Sequence, residues 1–175
     1  MLYITYLGLT EPIPKSQVLP YLFDLSKYVD MHLLSFEKKW LIKKENDEFK
    51  KIEKILQENG ITWHILAYHK YPLLLSSILD IFLGSIVSFF IALRYRISIV
   101  HARSNIPIAI GYALKLVLPI KLLYDRRGIM GEDHTEHSGW KREGYLHHLA
   151  TWFEKKVIRK SDAIVVLTQR TNDQL

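Results

Sequence analysis

The chain of 175 residues contains no cysteine. Disulfide bonds, zinc–thiolate centres and thiol catalysis are therefore excluded, a composition typical of a reducing compartment. The N-terminus has no basic segment, and its first apolar run ends too early for a secretory signal. These absences predict a cytoplasmic location.

Three motifs that identify nucleotide or catalytic sites are missing as well. Only Gly8 follows the first apolar run, whereas a dinucleotide-binding turn needs G-x-G-x-x-G, so we expect no nicotinamide-dependent dehydrogenase. The phosphate-binding pattern G-x-x-x-x-G-K-[ST] and the nucleophile elbow G-x-S-x-G do not occur either. These absences exclude a Walker-type phosphate loop and a nucleophile-elbow hydrolase.

Hydrophobic residues make up 49% of the chain and charged residues 24%, which is the balance of one folded domain spanning residues 1–175. The net charge of +6 favours polyanionic partners such as anionic lipid headgroups or phosphorylated substrates, with solvated helix faces as the alternative explanation. No apolar run interleaves aromatic with basic residues as a base-stacking platform requires, so we expect no nucleic-acid partner.

Short apolar runs alternate with helical patterns along the chain. Six runs predict strands, at residues 2–8, 31–37, 61–68, 97–104, 120–128 and 162–168. These runs are continuously apolar, as in strands that are buried on both faces of a sheet. We therefore predict an α/β fold, a Rossmann-like, doubly wound, mostly parallel sheet of about six strands with helices on both faces.

The first two predicted helices have individual signatures. In the first helix Ser16 is the candidate N-cap, and Pro20 requires a place in the first turn. The second helix carries one apolar stripe, formed by Phe49, Ile52, Ile55 and Leu56.

Residues 73–93 form an apolar stretch whose single charge is Asp80. Its length suits a membrane-spanning helix, but Asp80, four serines and its position between two strands argue against spanning. Two alternatives stay open: a buried core helix, and a helix with one face on a membrane surface. Arg94 and Arg96 follow directly and would suit anionic headgroups.

Charged and titratable residues stand at the ends of two predicted strands. In open α/β sheets ligands bind beyond the carboxyl ends of the strands, where His101, Arg103 and the run Asp125, Arg126, Arg127 lie. Guanidinium groups bind phosphate bidentately, and a histidine with an aspartate can move a proton or orient a hydroxyl. The structural alternative is a strand-end salt bridge at Asp125.

One further segment, GEDHTEHSGW at residues 131–140, brings imidazoles and carboxylates together. No regular element is predicted there to fix metal-ligand geometry. We therefore predict no metal site, and interpret the segment as a solvated or substrate-contacting loop.

The segments YLGLTEPIPKSQVLPYL, LLSFEK, IVHARSNIP, LLYDRRG and KKVIRKSDAIVVLT, in this order, resemble the N-terminal domain of GT-B glycosyltransferases of the family-four-like, retaining group. Each segment is weakly specific alone, and together they cover essentially the whole chain. The resemblance implies two Rossmann-like domains around a cleft. The N-terminal domain receives a sugar or lipid-linked acceptor, often at a membrane, and the C-terminal domain binds a nucleotide-sugar donor through a Glu-x7-Glu element.

The resemblance also implies a set of site residues. It assigns catalytic roles to Asp125 and His101. The substrate-binding residues that it implies are Thr10, Ser16, Gln17, Arg103, Ser104, Arg126, Arg127 and Gly128. The glycine pair usual after the first strand in this family is reduced here to Gly8.

We therefore expect the acceptor-binding half of a sugar-nucleotide-dependent glycosyltransferase in surface polysaccharide or glycolipid assembly. No segment of these 175 residues resembles a donor-binding domain, so we expect the domain to bind no cofactor itself. It would be inactive alone and would depend on a donor-binding domain in the same or a separate chain. The alternative is a non-catalytic, membrane-associated partner subunit, and both readings allow peripheral attachment to the inner face of the cell membrane.

Overall fold

A computed structural model describes residues 1–39, 47–69, 71–128 and 144–167 of the chain. The strands are β1 (Leu2–Thr5), β2 (Met31–Lys38), β3 (Ile61–Tyr68), β4 (Ile99–Arg103), β5 (Lys121–Arg126) and β6 (Ala163–Val166). The helices are α1 (Leu19–Ser26), α2 (Asp47–Glu58), α3 (Leu73–Arg94), α4 (Asn105–Val117) and α5 (Tyr145–Lys160).

The six strands form one sheet in the order β3-β2-β1-β4-β5-β6, and every pair is parallel. This confirms the predicted Rossmann-like α/β fold, with the six strands where the apolar runs placed them. The chain order reverses between β1 and β4, which is the switch point where open α/β sheets bind ligands.

Two hydrophobic clusters cover the two faces of the sheet. One contains residues of α3, α4 and α5 and takes Leu2 and Ile4 from β1. The other contains residues of α1 and α2 and takes Tyr3 from the same strand. Successive side chains of a strand point to opposite faces, so each strand contributes to both clusters and must be apolar throughout.

The first helix begins differently from the prediction. A single π-helical turn, Pro14–Val18, precedes α1, and the residue before that turn is Ile13. Ser16 therefore lies inside the turn, where its hydroxyl donates to the carbonyls of Pro12 and Ile13, and the prediction of a Ser16 N-cap is wrong. Pro20 sits in the first turn of α1, as its missing N–H requires.

The stripe predicted for α2 is narrower than expected. Ile52 and Leu56 are buried against the sheet, Phe49 is half-buried, and Ile55 is 40% exposed. The reason is geometric, because Ile55 lies one position from Leu56 and so about 100° around the helix from it. Gly60 follows the helix with a φ of 70°, the left-handed conformation typical of a residue just past a helix end.

Helix α3 is packed with its polar and small residues inward. Ser76, Asp80, Gly84 and Ser88 recur every four residues and are buried against the sheet. A Cβ atom at Gly84 would lie 2.5 Å from Cδ1 of Ile110 and 3.0 Å from Cζ of Phe36, so glycine permits this close approach. Ile91 is buried in the core as well, but many of the large apolar side chains point outward. Those at least one third exposed are Leu74, Leu75, Ile78, Leu79, Phe82, Ile86, Phe90 and Leu93.

This arrangement bears on two of the interpretations of residues 73–93. Among the described residues α3 is the one helix long and apolar enough to cross a membrane. It connects β3 to β4 of the same sheet, however, so both of its ends return to the domain. A wholly buried core helix is also wrong, because one face of α3 is open. We call the eight outward residues the apolar face of α3.

Candidate functional site

The carboxyl ends of β1, β4 and β5 bring three polar side chains into one row. The register pairs Thr5 with Arg103 and Arg103 with Asp125. In-register neighbours of parallel strands point to the same face, so these side chains share the face covered by α1 and α2. His101, two residues before Arg103, lies on this face as well, directly beside Tyr3.

Asp125 is the centre of this row and is almost fully buried. Arg127 meets it with two contacts of 2.7 Å, from Nη2 to Oδ2 and from Nε to Oδ1. Nη1 of Arg103 lies 3.5 Å from Oδ2, and Nε2 of His101 lies 3.7 Å from the same oxygen. One carboxylate thus balances two guanidinium groups beside an imidazole.

These partners set the charge of Asp125. Burial alone would raise the pKa of this carboxyl, but the interactions with His101 and Arg127 outweigh burial and hold the pKa below its usual value. Asp125 is therefore ionised at neutral pH. Two arginines against one aspartate leave the cluster with a surplus of positive charge, which suits an anionic ligand.

Residues of α1 and of the turn before it complete the site. Oε1 of Gln17 accepts a hydrogen bond of 2.7 Å from Nη2 of Arg103. The hydroxyl of Tyr21 lies 3.4 Å from Nδ1 of His101, and the His101 ring is 4.5 Å from the ring of Tyr3, between centroids. Burial raises the pKa of Tyr3 to about 12, so its hydroxyl stays protonated.

Only part of the cluster reaches solvent. His101, Arg103 and Asp125 are each at most 4% exposed. Gln17 is exposed, Tyr21 is 40% exposed, and a quarter of the Arg127 side chain is open. We call Gln17, Tyr21 and Arg127 the rim, because a ligand would meet these residues first. The buried residues below them fix the orientation of the rim.

Arg126 belongs to a different environment from its neighbours. It alternates with Asp125 along β5 and so points to the opposite face, where it is buried. Its Nε donates a hydrogen bond of 2.8 Å to Oε1 of Glu154 in α5. This buried ion pair ties α5 to the sheet and does not bring Arg126 to the rim.

The other residues implied by the resemblance are scattered around the same edge. Ser104 follows β4 with a φ of 73°, and its N–H donates to the carbonyl of Asp125 at 2.9 Å, which joins the ends of β4 and β5. Gly128 is half-buried just after β5. Thr10 lines a neighbouring cleft, whereas Ser16 is exposed and bonded to its own turn.

That neighbouring cleft contains a carboxyl group that the sequence did not single out. The cleft encloses approximately 450 Å³ between the loop after β1 and the ends of β2 and β3. Glu37 lies at its wall, fully buried, and its Oε1 accepts hydrogen bonds from the Leu9 N–H at 2.8 Å and the Ser35 hydroxyl at 2.7 Å. A Cβ at Gly8 would lie 2.5 Å from Oε2 of Glu37, so this glycine makes room for the carboxyl group.

Signals for the missed residues were weak in the sequence. Glu37 interrupts an apolar strand just before its end, which is a usable sign of a buried functional or structural carboxyl group. Tyr3 and Tyr21 look like ordinary core aromatics, and only the fold shows that both lie against His101.

No group of three metal-ligating side chains occurs within residues 1–39, 47–69, 71–128 and 144–167. The segment at residues 131–140, considered above as a metal or substrate loop, lies outside the described residues. The described cluster around Asp125 is dominated by cations, which repel a metal ion.

No protein-family model matches the chain, and comparisons with curated proteins and with solved structures found no significant match.

Proposed function

We propose that this chain is the acceptor-binding half of a sugar-nucleotide-dependent glycosyltransferase that works at an anionic membrane surface, in surface polysaccharide or glycolipid assembly. The observation that carries the proposal is the Asp125 cluster at the switch point of the sheet. Buried ion pairs of this kind are costly to assemble and are weak evidence for stability alone. Their position, where α/β sheets bind ligands, favours a binding role.

The chemistry of the rim suits a hydroxylated and phosphorylated ligand. The guanidinium group of Arg127 can donate several parallel hydrogen bonds to phosphate or sugar oxygens, and the Gln17 amide and Tyr21 hydroxyl can both donate and accept. The charge of Asp125 keeps the Arg127 side chain in place. Asp125 and His101 are buried, so we assign them positioning roles in the described state and give the ligand contacts to the rim.

The apolar face of α3 supports the membrane part of the proposal. A soluble monomer rarely exposes so many large apolar side chains in one continuous stripe. At the ends of the stripe stand Tyr71, which is 76% exposed, and the exposed run Arg94, Tyr95 and Arg96. Aromatic and basic residues flanking an apolar surface are typical of helices that lie in the interface of an anionic bilayer.

The test uses the complete gene product and membranes of cells that express it. Membranes are incubated with radiolabelled nucleotide sugars, and the label transferred to extracted lipid or polymer is counted. We expect transfer by the wild type and a loss of about 10- to 100-fold in Arg127→Gln, because about 1.5–3 kcal/mol of charge-assisted hydrogen bonding is removed. Arg127→Gln is preferred to substitution of Asp125, which would strand buried Arg103 without its counter-charge.

Lys51→Gln is the matched control, since it removes one exposed positive charge from α2 at a position outside the rim. The control should transfer sugar at the wild-type rate. Equal rates for Arg127→Gln and the wild type would contradict the proposed site.

The alternative function is a non-catalytic, membrane-associated subunit that positions a separate catalytic chain. The same observation of an exposed apolar helix face favours it, because such a face serves attachment as well as catalysis. It predicts that the protein purifies on membranes with a second chain, and that transfer requires this chain but is insensitive to Arg127→Gln.

A further inference from the structure

Asp80 is a charged residue in the middle of an otherwise apolar helix, and it is fully buried against the sheet. A buried carboxylate is destabilising unless it is hydrogen-bonded. Here Oδ2 accepts from the Tyr6 hydroxyl at 2.7 Å and from the His69 N–H at 3.2 Å, and Oδ1 lies 2.6 Å from Nδ1 of His69. The carboxylate is therefore satisfied by three donors from the loops after β1 and β3.

This arrangement fixes the histidine. A carboxylate only accepts hydrogen bonds, so Nδ1 of His69 carries a proton and Nε2 is left for a second partner. No described residue is hydrogen-bonded to Nε2, and the side chain is 24% exposed. An imidazole oriented by a buried carboxylate, with its second nitrogen open, is the arrangement that proteins use to accept a hydrogen bond or a proton from a ligand hydroxyl.

The pair is next to the cleft already described. Tyr6 and Tyr68 both line that cleft, and their rings are 5.2 Å apart between centroids. Tyr6 is bonded to Asp80, and Tyr68 directly precedes His69 in the chain. Aromatic walls with a few convergent polar groups are typical of small-molecule sites of this size.

The Asp80–His69 pair lies on a different face of the sheet from the Asp125 cluster. Asp80 belongs to α3, which packs on the face of Leu2 and Ile4, whereas Asp125 lies on the face covered by α1 and α2. Both groups stand at the carboxyl edge, on either side of the loop after β1. A ligand in the cleft could therefore be held separately from one bound at the rim.

We propose that His69, oriented by Asp80, binds a hydroxyl group of the carbohydrate acceptor, which forms a hydrogen bond with Nε2. The inference rests on the proposed function for the chemical class of the ligand. Asp80 is a positioning residue in this site and Tyr6 holds its second oxygen. If Asp80 only anchored α3 to the sheet, the hydrogen bonds from the Tyr6 hydroxyl and the His69 N–H would be sufficient. An accessible Nε2 would not be required for that role.

The experiment observes both sites in one spectrum. The chain is labelled uniformly with ¹³C and ¹⁵N, and the ring resonances of His69 and His101 and the amide signal of Tyr68 are assigned. The ligands are methyl glycosides of glucose, galactose and mannose, titrated at constant pH. We expect the His69 ring to be protonated at Nδ1 in the free protein, and its signals to shift saturably with at least one glycoside.

The variant His69→Asn separates binding from anchoring, because the asparagine amide can keep the donor to Asp80 while Nε2 is lost. We expect thermal unfolding close to that of the wild type and at least a tenfold weaker glycoside affinity, measured on the Tyr68 amide signal. His148→Asn, in an exposed turn of α5, is the matched control and should bind like the wild type. If His69→Asn fails to fold, the wild-type titration decides.

Each outcome has one meaning. Saturable shifts at His69 in the wild type, together with at least tenfold weaker glycoside affinity of His69→Asn on the Tyr68 amide signal, support the inference. Shifts at His101 without shifts at His69 overturn it and leave the proposed acceptor function standing. The absence of a shift at either histidine also overturns the inference about His69. The proposed function is then tested separately by the sugar-transfer assay.

Discussion

At the scale of single residues, the alternation of side chains along β5 separates three residues that the sequence presents as one charged run. Asp125 points to the α1 face, Arg126 to the α5 face, and Arg127 turns back to Asp125. The rule that polar residues after a parallel strand meet at one edge was sufficient to predict the grouping of His101, Arg103 and Asp125. Arg126 was expected beside them, although the period of two in a strand places it on the opposite face. Its partner Glu154 is 28 residues away and depends on how α5 packs.

The pairs that the sequence did not predict share one physical reason. Tyr6, His69 and Asp80 are brought together by the rotation of α3 about its axis, which no local pattern specifies. Glu37 is recognised only once Gly8 and Leu9 are known to fold over it.

Glu37 gives a prediction about stability and pH. Burial raises the pKa of this carboxyl above its ordinary value of 4.5, and the hydrogen bonds from Leu9 and Ser35 offset burial only in part. As the pH rises through 4.5 the unfolded chain releases this proton before the folded chain does. Glu37 therefore lowers the free energy of unfolding as the pH rises from below 4.5 to neutral.

Glu37→Gln has no ionisable group at this position, so its free energy of unfolding should not show the decrease with rising pH that Glu37 causes. Denaturant unfolding of both proteins across this pH range should show the stability of Glu37→Gln, relative to the wild type, increasing with pH. The control Glu53→Gln, at an exposed position of α2, should keep a constant difference from the wild type. Parallel pH profiles for Glu37→Gln and the wild type would show that Glu37 ionises alike in the folded and unfolded chains.

At the scale of elements, α3 is the part of the fold that the sequence describes least completely. Its length and apolar character were evident, and its end at Arg94 follows from the start of the next strand. The ordinary rule places apolar residues inward, yet here the four-residue repeat of Ser76, Asp80, Gly84 and Ser88 faces the sheet. An outward apolar face of this kind would be stable in contact with another apolar surface, such as the proposed membrane.

The proposed attachment of α3 to membranes gives a prediction that can be measured on this chain. Binding to anionic vesicles should weaken about 30-fold when Arg94 and Arg96 are both changed to glutamine, since each basic residue near a charged surface contributes about 1 kcal/mol. The measurement is co-flotation of the purified protein with phosphatidylglycerol-containing vesicles at low salt.

The matched control is the double variant Lys51→Gln, Lys54→Gln. It removes the same charge from exposed positions of α2, on the opposite side of the sheet. Equal weakening by both double variants would mean that net charge, and not the α3 surface, drives attachment. If the wild-type protein does not bind the vesicles, the proposed membrane attachment is wrong.

At the scale of the whole molecule, the alternation of strands and helices was enough to predict a parallel, doubly wound sheet, because parallel strands need crossover connections. The strand order was not predictable from alternation, since several orders satisfy the same rules. The order places β1 beside β4 and so sets Thr5, Arg103 and Asp125 side by side. The strand order therefore determines where the site lies, and the residues at the strand ends determine its chemistry.

The same topology relates the site to the proposed membrane surface. Helix α3 starts after β3 at the carboxyl edge, where both the cleft and the Asp125 cluster lie, and runs back along the sheet. Docking on the apolar face of α3 would thus bring this edge next to a lipid-anchored acceptor. The central claim is that the protein handles its acceptor at the bilayer.

The most direct test compares rates of sugar transfer by the complete protein to a lipid-linked acceptor in two kinds of vesicle. One kind contains anionic lipid, the other only zwitterionic lipid, with the same acceptor content. The account predicts much faster transfer on the anionic vesicles, and loss of that advantage in Arg94→Gln, Arg96→Gln. Equal rates on both vesicles, or equal rates with a soluble acceptor lacking the lipid, would contradict it.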